Sequence, residues 1–272
     1  MCIGPLWQGR RPRHYVDHVD AKEYASSFGA AASAYAEHRP DYARDAVRWG
    51  FEPAPGTRVL DLGAGTGKLT ATLVEAGADV VAVEPDVEML AELRRGLDVR
   101  ALLGSAEGIP LPDGSVDAVL AGNAMHWFDM AVAGPEIARV LAPGGVLTGL
   151  WNVLDDRVEW VDGLAAVAGS DVIGPRDTPA AWRAETEGMH LPKTGEACFG
   201  SPETAEFAHE QRRTADSLVA TLATRAGLLV MAEDERDALL DRIRGYLTSR
   251  PETADGEFAL PMLTCGLRVR RR

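Results

Sequence analysis

Apolar residues between positions 57 and 151 fall into short unbroken runs, with helical spacing filling the gaps between them. Thr57–Leu62 (TRVLDL), Asp79–Val83 (DVVAV), Val99–Leu103, Ser115–Ala121 (SVDAVLA) and Val146–Trp151 have strand length. After the first run, Leu69, Leu73 and Val74 share one helical face, and Gly77 supplies a stop. After the second, Asp86 stands where a helix cap is expected, ahead of an inner face of Met89, Leu90, Leu93 and Leu97. Pro135 is expected to open a helix carrying Ile137, Val140 and Leu141, ended by Pro143-Gly144-Gly145. Continuous apolar strands alternating with amphipathic helices describe a parallel α/β sheet covered on both faces. In such sheets ligands lie beyond the carboxyl ends of the strands, where the strand order reverses. That places the interest just after Leu62, Val83, Leu103 and Ala121.

The flanks are less regular. Residues 20–42 read as an amphipathic helix with Tyr24, Phe28, Ala31 and Tyr35 on one face, closed by Pro40. Val158, Val161 and Leu164 predict a helix, and residues 174–195 a loop or lid rich in Gly and Pro. A strand near 198–209, helices over 215–229 and 233–248, and a last strand over Glu257–Arg268 would complete a seven-stranded sheet with one antiparallel strand.

Composition narrows the function. The 272 residues are 46% apolar and 25% charged, in the range of a soluble globular protein. A net charge of −13 argues against nucleic acid as the main partner, because phosphate binding needs a basic face. The basic tail Arg268, Arg270, Arg271, Arg272 reads as a solvated chain end. No apolar stretch is long enough to span a membrane; residues 217–232 come nearest and carry Arg225 in the middle. Cys2, Cys198 and Cys265 have neither metal nor redox spacing and are expected to be reduced thiols of a cytoplasmic protein. His126, His190 and His209 are isolated, so no metal site is implied.

The most informative segment is Asp61-Leu62-Gly63-Ala64-Gly65-Thr66-Gly67. Three alternate glycines follow a strand and open a helix, which lets backbone approach a ligand closely and aim helix amides at it. Glu84 ends the second strand, where a carboxylate can accept bonds from a ribose diol. Three nucleotide patterns compete. The dinucleotide pattern G-x-G-x-x-G fails, because the third glycine comes one residue early and Lys68 holds its place. The P-loop pattern fails, because Gly63 and Gly67 are one residue too close and Leu69 follows Lys68 in place of a hydroxyl residue. The pattern D/E-x-G-x-G-x-G matches at every position.

VLDLGAGTGKLT (59–70), VVAVEPD (80–86), LLGSAEGIPLPDGSVDAVLAGNAMHWF (102–128) and EIARVLAPGGVLTGLWN (136–152) together resemble the class I S-adenosylmethionine-dependent methyltransferases. They are most similar to the small-molecule branch that includes trans-aconitate-type enzymes, and FGAAASAYAEHRPDY (28–42) resembles the opening segment of that branch. The resemblance is strong over roughly residues 22–152. It implies a Rossmann-like seven-stranded, mostly parallel sheet with helices on both faces, an N-terminal helical lid and C-terminal cap elements. On that pattern residues 1–50 are the arm and lid, 51–152 the cofactor-binding core, 153–195 an insertion near the acceptor, and 196–272 the completion of the sheet.

The resemblance further implies that Asp61, Gly63, Ala64 and Gly65 line the methionine part of S-adenosyl-L-methionine. Glu84 would bind the ribose, and Pro85 would pack near the adenine, with Ser105, Ala106 and Glu107 bordering it. Relatives often have Asp in place of Ser105. Asn123, where relatives often have Gln, would contact the methionine end; Tyr35 and Arg39 would cover the cofactor, Arg39 pairing with its carboxylate. His126 is the first candidate for taking a proton, because imidazole titrates near neutral pH; Tyr24 is the second catalytic candidate. Phe28, Trp127 and Trp151 are candidate walls of the acceptor pocket. The expected reaction moves a methyl group to an oxygen, nitrogen or nucleophilic carbon of a small molecule, such as an electron-rich aromatic, an indole or a carboxylate, in secondary metabolism. S-adenosyl-L-homocysteine is the product. The rivals are a non-catalytic, regulatory protein that keeps the same cofactor and fold, and a nicotinamide-dependent oxidoreductase.

Overall fold

The computed structural model describes residues 40–170, 172–173, 177–186, 199–229 and 231–272. Tyr24, Phe28, Tyr35 and Arg39 lie outside the described residues, with most of the expected 20–42 helix.

Seven strands form one sheet in the order β3-β2-β1-β4-β5-β7-β6. They are β1 (Arg58–Leu62), β2 (Asp79–Glu84), β3 (Arg100–Leu103), β4 (Val116–Gly122), β5 (Leu141–Leu154), β6 (Glu203–Arg213) and β7 (Phe258–Arg270). The pairings from β3 to β5 are parallel, and β7 runs antiparallel to both β5 and β6. The order reverses between β1 and β4, so the crevice of the fold opens above those two strands.

Crossover handedness decides which helix covers which face. Helices α1 (Arg44–Phe51), α2 (Lys68–Glu75) and α3 (Val87–Gly96) share one face. There Val47, Leu69 and Leu73 pack on Val59, Leu120 and Leu150, while Leu90 and Leu93 pack on Ala82 and Ala101. Helix α4 (Met130–Val140) covers the other face, where Ile137 and Val140 join Leu60, Leu62, Val119 and Leu147. The remaining helices are α5 (Glu159–Ala168), α6 (Pro179–Thr186), α7 (Ala215–Ala223), α8 (Ala226–Leu229) and α9 (Glu233–Ser249). Of these, α5, α7 and α9 build a separate apolar cluster on Leu154, Phe258, Leu260 and Met262. Leu154 ends β5 and pairs with Met262, so this helical cap sits at the carboxyl edge of the parallel strands.

Several expectations are corrected. Helix α4 opens at Met130, not at Pro135: the Asp129 side chain caps it by accepting from the Ala131 amide, and Pro135 lies inside it. Leu97 lies just beyond the last helical residue of α3, in an extended conformation, with its side chain beside that of Leu93 against Gly67. The 174–195 stretch contains α6, and the 215–229 stretch breaks into α7 and α8. Strand β6 starts at Glu203 and runs to Arg213, later than the expected 198–209, and α1 was not anticipated.

Candidate active site

The loop from Gly63 to Gly67 leaves β1 beside the crossing point and enters α2. Gly63, Gly65 and Gly67 all have positive φ, at 74°, 57° and 92°. Each of these three conformations is costly for a residue with a Cβ. At Gly63 a Cβ would also come within 2.8 Å of Ala124 Cβ. At Gly65 a Cβ would meet only Met89 Sδ, at 3.8 Å. The Gly63 and Ala64 amides donate to Val83 O, which stitches the loop to the end of β2.

The cleft beside this loop holds about 420 Å³ of empty space, counting the part open to solvent. Asp61, Gly63, Ala64, Gly65, Thr66 and Lys68 line it, together with Pro40, Tyr42, Gly122 and Asn123. Asp61 is fully buried. Its Oδ2 accepts from Thr70 Oγ1 at 2.6 Å, whereas Oδ1 has no hydrogen-bond partner among the described residues. Burial pushes the Asp61 carboxyl up to about 7; the Thr70 bond opposes this, and the nearby Glu84 charge adds to it. Thr66 also lines the cleft, and its Oγ1 is a second buried polar atom without a partner among the described residues.

Glu84 is 6% exposed. Its Oε2 accepts from the Gly65 amide at 2.8 Å and its Oε1 from the Asp86 amide at 2.9 Å. Burial raises its pKa above the ordinary carboxylate value, and the two amides oppose that rise. Each oxygen keeps a further lone pair for a ligand hydroxyl. Pro85 beside it is exposed.

Other candidate residues fall in different roles. Ser105 and Gly108 form a small bridge around the buried Ala106, and Glu107 Oε1 accepts from the Asp129 amide at 3.0 Å. Glu107 therefore ties this turn to the start of α4. His126 and Trp127 lie on a 3-10 turn, Met125–Trp127, that follows β4. Ala124 and Phe128 bracket this turn and both lie against Gly63. The His126 ring is half-buried and sits 4.9 Å from the Trp127 ring, while Trp127 is 44% exposed. Trp151 is buried, its ring close above Gly149 and 6.2 Å from that of Trp182. It belongs to a core cluster and is not among the described residues that line this cleft.

Two groups of residues were missed. Pro40 and Tyr42 line the cleft. Their segment is held by a buried polar clamp reaching across β5, β7 and β6. The Asn152 side-chain amide donates to Asp41 O at 3.1 Å and Pro40 O at 3.4 Å, and its Oδ1 accepts from Thr264 Oγ1 at 2.7 Å. Thr264 Oγ1 in turn accepts from the Ala43 amide at 3.0 Å and lies 3.2 Å from His209 Nε2. Because the Thr264 proton goes to Asn152, His209 Nε2 must be the donor in that contact. Gln211 Nε2 donates to Asp41 O at 3.3 Å. The clamp extends to the cleft through Asn123, whose Oδ1 accepts from the Asn152 backbone N–H at 3.3 Å and whose φ is +50°.

The comparisons with known proteins agree with this geometry. The family profile described as a methyltransferase domain matches residues 60–148. An uncharacterized methyltransferase of Mycobacterium tuberculosis is 42% identical over 250 residues, which cover 91% of this chain and 97% of that protein. A counterpart in Mycobacterium bovis matches to the same extent. A demethylmenaquinone methyltransferase of Beutenbergia cavernae is 45% identical over 95 residues, 34% of this chain and 40% of its own. Among solved structures, a protein of Anaeromyxobacter dehalogenans provisionally assigned as a type II methyltransferase superposes with a TM-score of 0.57. It is 28% identical, and the match covers 86% of this chain and 97% of that one. With its strand order, its glycine loop and a full-length relative at this identity, the chain belongs to the class I S-adenosylmethionine-dependent methyltransferases.

Proposed function

We propose that this chain binds S-adenosyl-L-methionine in the cleft beside Gly65 and transfers its methyl group to a small-molecule acceptor, a secondary metabolite with a flat, electron-rich face. The observation that carries the reading is the Asp61 carboxylate, fully buried with Oδ1 unpartnered among the described residues on the wall of a glycine-lined cleft. A buried polar atom without a partner is costly unless a ligand supplies one.

The residues present fit that group. Asp61 would hold the ammonium of the methionine part, and Glu84 the ribose hydroxyls through its remaining lone pairs. Gly63 and Gly65 let the backbone lie close to the chain of the ligand. Ala106, buried behind Ser105, and the exposed Pro85 would flank the adenine. When bound, the cofactor supplies a methyl group already activated on a sulfonium sulfur.

The protein's own task is then alignment, exclusion of water and, where the acceptor carries a proton, its removal. Tyr42, in the segment that the clamp holds, lines the same cleft as the glycine loop. His126 sits on the turn that packs against Gly63 and would take the acceptor proton. The exposed Trp127 beside it offers an aromatic face for a flat acceptor. No helix among the described residues is long and apolar enough to cross a membrane.

The test is incubation with methyl-labelled S-adenosylmethionine and a library of phenols, indoles, amines and carboxylic acids. Label is expected in an electron-rich aromatic product. Labelled carboxylates alone would overturn the aromatic assignment, and label in no member of the library, despite cofactor binding, would overturn the catalytic reading.

A further inference from the structure

A hydroxyl has one proton to give and two acceptor sites, and all three are used at the buried Thr264 Oγ1. Its neighbours are the Ala43 amide at 3.0 Å, Asn152 Oδ1 at 2.7 Å and His209 Nε2 at 3.2 Å. The Ala43 amide can only donate, so the other two contacts allow two closed arrangements. In one, His209 Nε2–H donates to Thr264, the hydroxyl donates to Asn152 Oδ1, and Asn152 Nδ2 donates to the Asp41 and Pro40 carbonyls, as observed. In the other, the hydroxyl donates to a bare Nε2, and the Asn152 amide turns over to donate to Thr264. Asn152 Oδ1 would then face two carbonyl oxygens, and Pro40 O and Asp41 O would lose that donor.

Which arrangement holds is decided at the imidazole. Burial keeps the His209 pKa below its ordinary value, against the pull of the Asp41 charge, so the ring is neutral and carries a single N–H. Two residues along β6, Gln211 is oriented in the same manner. Guanidinium only donates, and Arg213 Nη2 gives to Gln211 Oε1 at 2.7 Å, which turns Gln211 Nε2 towards Asp41 O at 3.3 Å. We infer that His209 is a positioning residue for the cofactor: the proton on its Nε2 sets the direction of the Thr264–Asn152 chain and so keeps residues 40–42 in place at the cleft. Pro40 and Tyr42 line that cleft, whereas His209 does not; it stands on the edge strand β6, with β7 and β5 between it and β4. The inference rests on the cofactor reading above and adds a residue, remote from the ligand, on which binding depends.

The experiment has two arms, both on the full chain. Nitrogen-15 labelling of the histidines and proton–nitrogen correlation spectra read which ring nitrogen of His209 carries the proton, the signal being assigned by its loss in His209→Gln. The Nε2–H tautomer is expected, and the Nδ1–H tautomer would overturn the inference. Calorimetry then measures S-adenosylhomocysteine binding to wild type, His209→Met and His209→Gln. Methionine fills the space without a donor and is expected to weaken binding about five- to tenfold, the worth of one hydrogen bond. Glutamine can present an N–H at the same place and should stay within about twofold of wild type. Equal losses in the two variants would show a space-filling role only, and tight binding by His209→Met would show none; either result removes His209 while the cofactor reading stands. If His209→Met does not fold, the tautomer and the glutamine variant decide, a loss above about fivefold in the latter counting against the inference. If wild type itself does not bind, the cofactor reading falls and this inference with it.

Discussion

Replacing Asp61 by asparagine should make the protein more stable and unable to use its cleft. Asp61 is fully buried, and burial raises its carboxyl from an ordinary 3.8 to about 7. The folded chain thus holds this proton more tightly than the unfolded chain does. The stability associated with that proton is fully present below pH 3.8 and is lost as pH rises through about 7. At about 1.4 kcal/mol per pH unit, the whole interval corresponds to about 4 kcal/mol. The part lost between pH 5 and pH 8 is about 3 kcal/mol. In Asp61→Asn the new side-chain amide would still accept the Thr70 hydroxyl bond through its carbonyl oxygen but would have no charge to bury. Urea unfolding of wild type and Asp61→Asn at pH 5 and pH 8 measures this, because the other titrating groups cancel in the comparison. The margin in favour of the variant should widen by about 3 kcal/mol from the lower to the higher pH. S-adenosylhomocysteine binding should be lost, since an amide Nδ2 would face the ligand ammonium. A margin that stays constant within about 0.5 kcal/mol would refute the claim that Asp61 carries a displaced proton.

Single contacts offer further tests. Gly122→Ala would place a Cβ 2.4 Å from Tyr42 Oη, so Tyr42 must move. Thermal melts should show a loss of about 1–3 kcal/mol, and the KM for the cofactor should rise; unchanged values of both would contradict the packing. Asn152→Leu strips partners from Pro40 O, Asp41 O and the Thr264 hydroxyl, and should cost about 2–4 kcal/mol in denaturant unfolding. A loss below about 0.5 kcal/mol would mean that the clamp does not hold the segment. His126→Ala should lower kcat by about 10²-fold or more with the cofactor Kd unchanged. An unaltered kcat would remove His126 from the chemistry.

The parallel half of the sheet was legible because its strands are buried on both faces. Runs such as VLDL and DAVLA have strand length and end at glycine, so their period needs no partner to be recognised. The glycine loop was legible for a related reason: three positive-φ turns in five residues leave little choice of side chain. The opening of α4 was misplaced because Pro135 outweighs Asp129 as a signal. In the fold the proline ring is tolerated in the second turn at the loss of one helical bond, and the Asp129 cap sets the start. Helix α1 was not anticipated because it is eight residues long and buries only Ala46, Val47 and Gly50. Its place is set by contacts distant in sequence, such as Thr148 Oγ1 donating to Gly50 O and Arg268 stacked 4.1 Å above the Trp49 ring.

The candidate site divides in the same way. Asp61, Gly63, Ala64, Gly65 and Asn123 were legible from one motif and one strand end, and the structure gathers them around a single cleft. The clamp was not legible. Asn152 and Thr264 stand opposite each other only through the register of β5 on β7, and His209 joins through β6. Taken singly, they are a polar residue at a strand end, a threonine in an apolar strand and an isolated histidine. Glu107 has a contact that its motif does not reveal: its carboxylate accepts from the Asp129 amide.

The central claim is that the backbone bared at Gly65 receives the cofactor. Its most direct measurement is calorimetric titration of S-adenosylhomocysteine into wild type and into Gly65→Val, with circular dichroism confirming that both are folded. Wild type should bind one equivalent and the variant none, because a β-branched side chain cannot keep the positive φ with which Gly65 lines the cleft. Equal binding by the two proteins would contradict the account.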